Sequence, residues 1–240
     1  MTGLPLARGV LLDLDGTLFD TAPDLIDSIN TLRAEQQLSA LADAELAASV
    51  GHGSAPMIAR AFNLTPADHA FEPLRLRFLD LYRERLSLRT RPYEGMEALL
   101  HALEARAIPW GIVTNKPGWL TRPLITALGY DERPHCLVTG DDMARRKPHP
   151  HQIIEGCRRL NLPANDCVTV GDTERDIIAG RQAGTLTLAA LYGYVSGDDR
   201  VERWGADGLI SHPLEVLRWL HPTATAVTES VAVKTRAGTH

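Results

Sequence analysis

Cysteine is scarce in this 240-residue chain, which has only Cys136, Cys157 and Cys167. An odd number at irregular spacing, with no Cys-x-x-Cys pair, argues against a disulfide framework or a zinc site and for free thiols in a reducing compartment. Long apolar runs are also missing. The longest candidate, residues 186–195, is too short to span a bilayer and is interrupted by Gly193. At the N-terminus, Asp13 and Asp15 interrupt the chain before an apolar core of signal-peptide length can form. There is no excess of positive charge: 25 Lys and Arg against 30 Asp and Glu leave a net charge of −5. A broad polyanion-binding surface is therefore not expected, although one local anion site remains open. A nucleotide-binding loop is lacking too, since Gly51-His52-Gly53 has neither a third glycine at the required spacing nor a strand before it. Together these absences lead to the expectation of a cytoplasmic protein with no membrane or nucleic-acid partner. The 44% hydrophobic content is enough for a sizeable core. The length allows one large domain or a core with a smaller insertion.

The most informative stretch is Val10-Leu11-Leu12-Asp13-Leu14-Asp15-Gly16-Thr17. A short apolar run that ends in acid and glycine reads as a buried parallel strand entering a tight turn. If the strand continues to Asp15, period-two alternation turns Asp13 and Asp15 to the same side. Two carboxylates at a buried strand end are costly unless a cation or a proton compensates them.

After this strand, Thr21-Ala22-Pro23-Asp24 reads as a helix start, with a capping hydroxyl, an early proline and an acid three residues on. Residues 25–91 show helical periodicity, broken at Gly51-His52-Gly53-Ser54 and at Thr65-Pro66, with no convincing strand. Arg75, Arg77, Arg83, Arg85, Arg89 and Arg91 read as a solvated basic face rather than a nucleic-acid surface. From Pro92 the pattern alternates: helix 95–106, strand 109–113, helix 117–128, strand 136–139, helix 150–160, strand 167–170, helix 176–183 and strand 186–191. An edge strand at Leu209-Ile210 and a last helix at 214–220 follow. The expected fold is α/β, a Rossmann-like parallel sheet core with an inserted α-helical cap domain. The core is assigned to residues 1–19 and 90–222, the cap to 20–89, and 223–240 to a disordered tail.

In such a sheet, ligands bind beyond the carboxyl ends of the strands, where Asp13, Thr114 and Asp172 fall. Asp172 and Asp176 are one helical turn apart. With Asp13 and Asp15 they set four carboxylates against Lys147, an excess that a hard, oxygen-loving cation such as Mg²⁺ resolves. Thr114 and Asn115 offer neutral donors, and Lys147 a fixed charge, to a phosphate.

These segments, in order, resemble the four motifs of the haloacid dehalogenase superfamily: Asp13-Leu14-Asp15-Gly16-Thr17, Thr114-Asn115, Lys147-Pro148 and Gly171-Asp172. The resemblance covers about residues 8–222. Thr114-Asn115-Lys116-Pro117, Thr121-Arg122-Pro123 and Tyr192-Gly193-Tyr194 are similar to phosphoglycolate phosphatases. Phe71-Glu72 with Leu74-Arg75-Leu76, Tyr93-Glu94-Gly95-Met96 and Trp204-Gly205-Ala206-Asp207 look closer to N-acetylmuramic acid 6-phosphate phosphatases. The resemblance implies that Asp13 is a nucleophile forming an aspartyl phosphate and that Asp15 is the general acid and then base, surrounded by acid. It further implies Mg²⁺ on Asp13, the Asp15 carbonyl and Asp172, with Asp176 in support, and the transferring phosphoryl group held by Gly16, Thr114, Asn115 and Lys147. The substrate would be a small carboxylated phosphate ester and the enzyme a monomer or homodimer. A phosphosugar mutase or nucleotidase of the same superfamily, and a catalytically silent binding protein on the same fold, are the alternatives. His52 with its neighbouring amides, and secondarily Arg60, are the candidates for reading the substrate's distal end.

Overall fold

The computed structural model describes residues 6–222 except residue 198, so the tail expected at 223–240 lies outside the described residues. The first strand, β1 (Gly9–Leu12), stops one residue before Asp13. The alternation argument for Asp13 and Asp15 therefore does not apply, and the turn itself sets their directions. Two very short strands absent from the sequence reading, β2 (Phe19–Asp20) and β3 (Arg91–Pro92), pair antiparallel. Between them lie four helices, α1 (Ala22–Glu35), α2 (Asp43–Val50), α3 (Ser54–Phe62) and α4 (Phe71–Glu84). Their apolar stripes meet in a cluster of their own, with Ile29, Leu32, Leu46, Met57, Phe78 and Tyr82 buried. Leu120 reaches this cluster from outside the insertion.

The rest of the chain alternates α5 (Met96–Ala105), β4 (Trp110–Val113), α6 (Gly118–Leu128), β5 (Cys136–Val138), α7 (His151–Arg159), β6 (Cys167–Gly171), α8 (Glu174–Ala183), β7 (Leu186–Ala190) and β8 (Gly208–Ile210). Six strands form one parallel sheet in the order β5-β4-β1-β6-β7-β8. Alternation along β1 sends Val10 and Leu12 into one core cluster and Leu11 into another, so both faces are covered, as an all-parallel sheet requires. Cys136, Cys157 and Cys167 are all buried free thiols on the Leu11 face. The helix expected at 214–220 is a 3₁₀ segment, Pro213–Trp219. Among the described residues no helix is long and apolar enough to cross a membrane.

The two crossings between sheet and insertion are locked by a buried carboxylate. Asp24 in α1 accepts from Arg89 N (2.8 Å), Thr90 N (2.9 Å) and Thr90 Oγ1 (2.7 Å), tying the outgoing chain to the returning one. Thr21 does not cap α1 as the sequence suggested. Its hydroxyl goes to Asp15, a stronger, charged acceptor. The free N–H groups at the helix start are met instead by the Tyr194 hydroxyl, 2.6 Å from Thr21 N and 2.8 Å from Ala22 N, and by Asp20.

Candidate active site

Beyond the end of β1, Asp13 N donates to Val170 O on β6 (2.9 Å), and the chain then folds back through Leu14 to Thr17. Gly16 sits at φ +82°, and a Cβ there would lie 2.1 Å from Asp172 Oδ2, so glycine is required on both counts. The amide of Gly16 donates to Phe19 O, which makes this residue a turn element rather than the phosphate donor expected from sequence. Asp172, just past β6, is held by Thr17 Oγ1 (3.1 Å) and Tyr194 N (2.9 Å).

Asp13, Asp172 and Asp176 each bring a carboxylate oxygen to within 4.8 Å of the others. Lys147 Nζ donates to Asp13 Oδ1 (2.8 Å) and Val113 O (2.8 Å) and pairs with Asp176 Oδ1 (2.5 Å). The second oxygen of Asp176 caps α8 through Thr173 N and Thr173 Oγ1. One ammonium does not neutralise three carboxylates. Burial pushes the Asp13 carboxyl up; Lys147 opposes this, Asp176 and Asp15 add to it, and the result is about 6. Burial, then Asp13 and Asp176, hold the Asp172 carboxyl well above the usual range. Burial alone would lower the Lys147 ammonium, but Asp13 and Asp176 outweigh it and the shift is upward. Hard oxygen donors carrying excess buried negative charge fit a divalent cation of the Mg²⁺ kind.

Asp15 stands apart from this trio. Its Oδ1 accepts from Thr21 Oγ1 (2.6 Å) and Lys116 Nζ (2.9 Å), and Lys116 Nζ also reaches Tyr82 Oη on α4 (2.9 Å). The wholly acidic surroundings expected for Asp15 are thus replaced by a cation and a hydroxyl. Asn115 also differs from expectation: its side-chain amide clamps the backbone of Lys147, with Nδ2 on Lys147 O (2.9 Å) and Oδ1 on Lys147 N (3.0 Å). Gln152, buried on α7, holds the same loop through Lys147 N, Thr114 O and Thr139 O. Thr114 lines the site as expected.

Above the carboxylates is a cavity of about 540 Å³, roofed by α3, α4 and the turn between α2 and α3. His52 lines it, but the amides of His52 and Gly53 are already donated to Ser49 O and Val50 O (both 3.1 Å) and are not open to an anion. Arg60 does not line the cavity; it is exposed, with Nε on Glu45 O (3.2 Å). Arg75 and Arg175 line it instead.

A sequence model of haloacid dehalogenase-like hydrolases matches residues 10–190. The chain belongs to that family. N-acetylmuramic acid 6-phosphate phosphatase of Pseudomonas aeruginosa is 40% identical over 210 residues, 88% of this chain and 93% of that protein. Phosphoglycolate phosphatase of Xanthomonas campestris pv. campestris is 42% identical over 206 residues, covering 86% and 93% respectively. A crystal structure of a predicted phosphoglycolate phosphatase from Haemophilus somnus superposes with a TM-score of 0.78 at 26% identity, covering 88% of this chain and 97% of that one.

Within this haloacid dehalogenase-like site, the sequence reading missed Lys116, Tyr82, Thr21, Gln152, Tyr194 and Arg75. Lys116 carried a signal, since it directly follows Thr114-Asn115 at a strand end. Arg75 carried a faint one, as part of a segment resembling N-acetylmuramic acid 6-phosphate phosphatases, and Tyr82 carried none, because it is one of several apolar residues at helical spacing.

Proposed function

We propose that this protein is a Mg²⁺-dependent phosphomonoester hydrolase that takes the phosphoryl group of a small carboxylated ester onto Asp13. Phosphoglycolate and N-acetylmuramic acid 6-phosphate, the substrates named for its relatives, are the two candidates. The observation that carries the reading is the placement of Lys147 Nζ between Asp13 and Asp176, beside Asp172, on the floor of a cavity. An Asp13 oxygen attacks phosphorus and the ester oxygen leaves, taking a proton from Asp15. Water then attacks the aspartyl phosphate, Asp15 accepts its proton, and phosphate and free Asp13 are regenerated. Thr21 and Lys116 fix the Asp15 carboxylate for both proton transfers. Lys147 supplies positive charge where the phosphoryl oxygens gather, and Thr114 a hydroxyl. Mg²⁺, held by Asp13, Asp172 and the Asp15 carbonyl with Asp176 behind them, would neutralise phosphate charge and align the ester. Residues 20–89 act as the cap over a core made of 1–19 and 90–222.

The test is phosphate release from a panel of esters with and without Mg²⁺. One phosphate per ester consumed is expected, whereas return of the phosphoryl group to an isomeric sugar phosphate would make the protein a mutase.

A further inference from the structure

We propose that Arg75 is the specificity-determining residue of this site and that it receives the carboxylate of a hexose-sized phosphomonoester. The proposal rests on the phosphatase reading above and deepens it.

The first argument is size. A cavity of about 540 Å³ is in the range of about 300–1,000 Å³ that holds drug-sized ligands. A two-carbon phosphate ester seated at Asp13 leaves most of that space to water. The second argument is the chemistry of the wall. Val50, Met57, Phe78, Leu79 and Leu120 make the upper wall apolar, with Met57 and Phe78 wholly buried. Such a wall suits a body bearing methyl groups and a ring face, as in an N-acylated sugar acid.

The third argument is which cation the roof itself contributes. Lys147 is engaged by Asp13 and Asp176, and Lys116 by Asp15 and Tyr82. Arg175 and Arg146 line the cavity too, but they come from the sheet side, on α8 and beside Lys147, and not from the helical roof; Arg175 Nη2 donates to Gly51 O (2.6 Å). Arg75 lies on α4, in the roof. Glu72 clamps its Nε (2.8 Å) and Nη2 (2.6 Å), and Nη1 donates to Ser54 Oγ (3.3 Å). That leaves one N–H on each terminal nitrogen, the pattern that meets a carboxylate in bidentate fashion. The Glu72 carboxylate is solvent-exposed, so the pair is well screened; it orients the guanidinium more than it cancels its charge. A carboxylate reaching the roof therefore finds an oriented donor pair.

The experiment compares N-acetylmuramic acid 6-phosphate with its carboxamide, which differs only in the charge of the lactyl end. With wild type, kcat/KM for the acid should exceed that for the amide by about 10- to 100-fold, the range of a hydrogen-bonded charge pair. In Arg75→Ala the ratio should fall to near one, chiefly through KM for the acid, and Arg75→Lys should be intermediate. A ratio measured on one preparation is independent of how much of it is folded. An unchanged ratio in Arg75→Ala, or a wild-type preference for phosphoglycolate over the sugar acid, overturns the proposal while the phosphatase reading stands. Failure of wild type to release phosphate from any ester, p-nitrophenyl phosphate included, overturns that reading instead.

Discussion

The floor and the roof of the cavity are built on opposite terms. On the floor, Lys147, Asp172 and Asp176 are almost wholly buried, and each has its atoms committed to named partners from several strand ends. In the roof, His52 is exposed, Arg75 is half-buried, and most of the remaining side chains are aliphatic or aromatic. A floor of coupled charges tolerates little change, because removing one partner strands another in a low-dielectric place. Apart from Tyr82, which is tied to Asp15 through Lys116, the roof holds no such chain of buried charges and tolerates more change. On the proposed function, chemistry would belong to the sheet and selectivity to the helices.

The strongest way to break this division is at Asp13. Asp13→Asn keeps the shape and removes the nucleophile, so kcat should fall at least about 10³-fold for every ester, read by phosphate release. Activity near wild type in a preparation free of deamidated protein would sink the mechanism.

Metal removal comes next. A chelator should abolish turnover, Mg²⁺ should restore it, and Ca²⁺ should substitute poorly because of its looser coordination. The same site makes stability depend on pH. The folded Asp13 carboxyl titrates near 6, above its ordinary 3.8, so the folded state binds this proton more tightly than the unfolded chain. The metal-free protein should therefore lose stability as pH rises from about 4 to about 6, and not regain it above. Mg²⁺ takes the place of the proton, so the rise in Tm on adding it should be largest near pH 8 and fade toward pH 5, as followed by thermal denaturation. A constant rise across that range would contradict the acid cluster as the binding site.

Asp15→Asn should slow alkyl ester hydrolysis by about 10² or more, and p-nitrophenyl phosphate by much less, since its leaving group hardly needs a proton. Equal losses would argue against Asp15 as the acid. Away from the chemistry, Asp24→Ala leaves the Arg89 and Thr90 donors without their acceptor and should cost about 2 kcal/mol of stability in urea unfolding, with little change in kcat. The smallest effect is expected in the roof: His52→Ala should raise KM for a carboxylated ester a few-fold and leave p-nitrophenyl phosphate untouched. If it were to lower kcat for both, the roof would be part of the chemistry and the contrast would fail.

The floor was largely legible in the sequence. Asp13, Thr114 and Asp172 end apolar runs, and strand ends in a parallel sheet converge whatever lies between them. Lys147 was legible through its place among the motifs. Pairings that depend on how helices dock were not. Lys116 is shared between Asp15 and Tyr82 of α4, and Thr21 gives its hydroxyl to Asp15, 2.6 Å away, rather than to the helix start. In the roof, helical period alone does not separate Arg75, on the cavity, from Arg60, turned away toward Glu45 O. Arg75 was grouped with a solvated basic face; the resemblance of Phe71-Glu72 with Leu74-Arg75-Leu76 marked the segment but gave no role to the residue. The β2–β3 ribbon, two residues to a strand, is shorter than any pattern can report.

The position of β1 in the sheet bears on how the molecule comes into being. Val10 pairs with Trp110 on one side and Val168 on the other, so the segment carrying Asp13 is made well before either of its neighbours. On the ribosome it must wait, unpaired on both edges, until β4 and then β6 emerge. Meanwhile α1 to α4, which carry an apolar cluster of their own, are complete before β4 is made. At about 5–20 residues per second, that interval lasts on the order of ten seconds. An apolar strand left open so long is a hazard for non-native pairing, and its brevity, four residues running directly into acid, limits that risk. The acids that make the site chemically useful thus also guard the nascent chain.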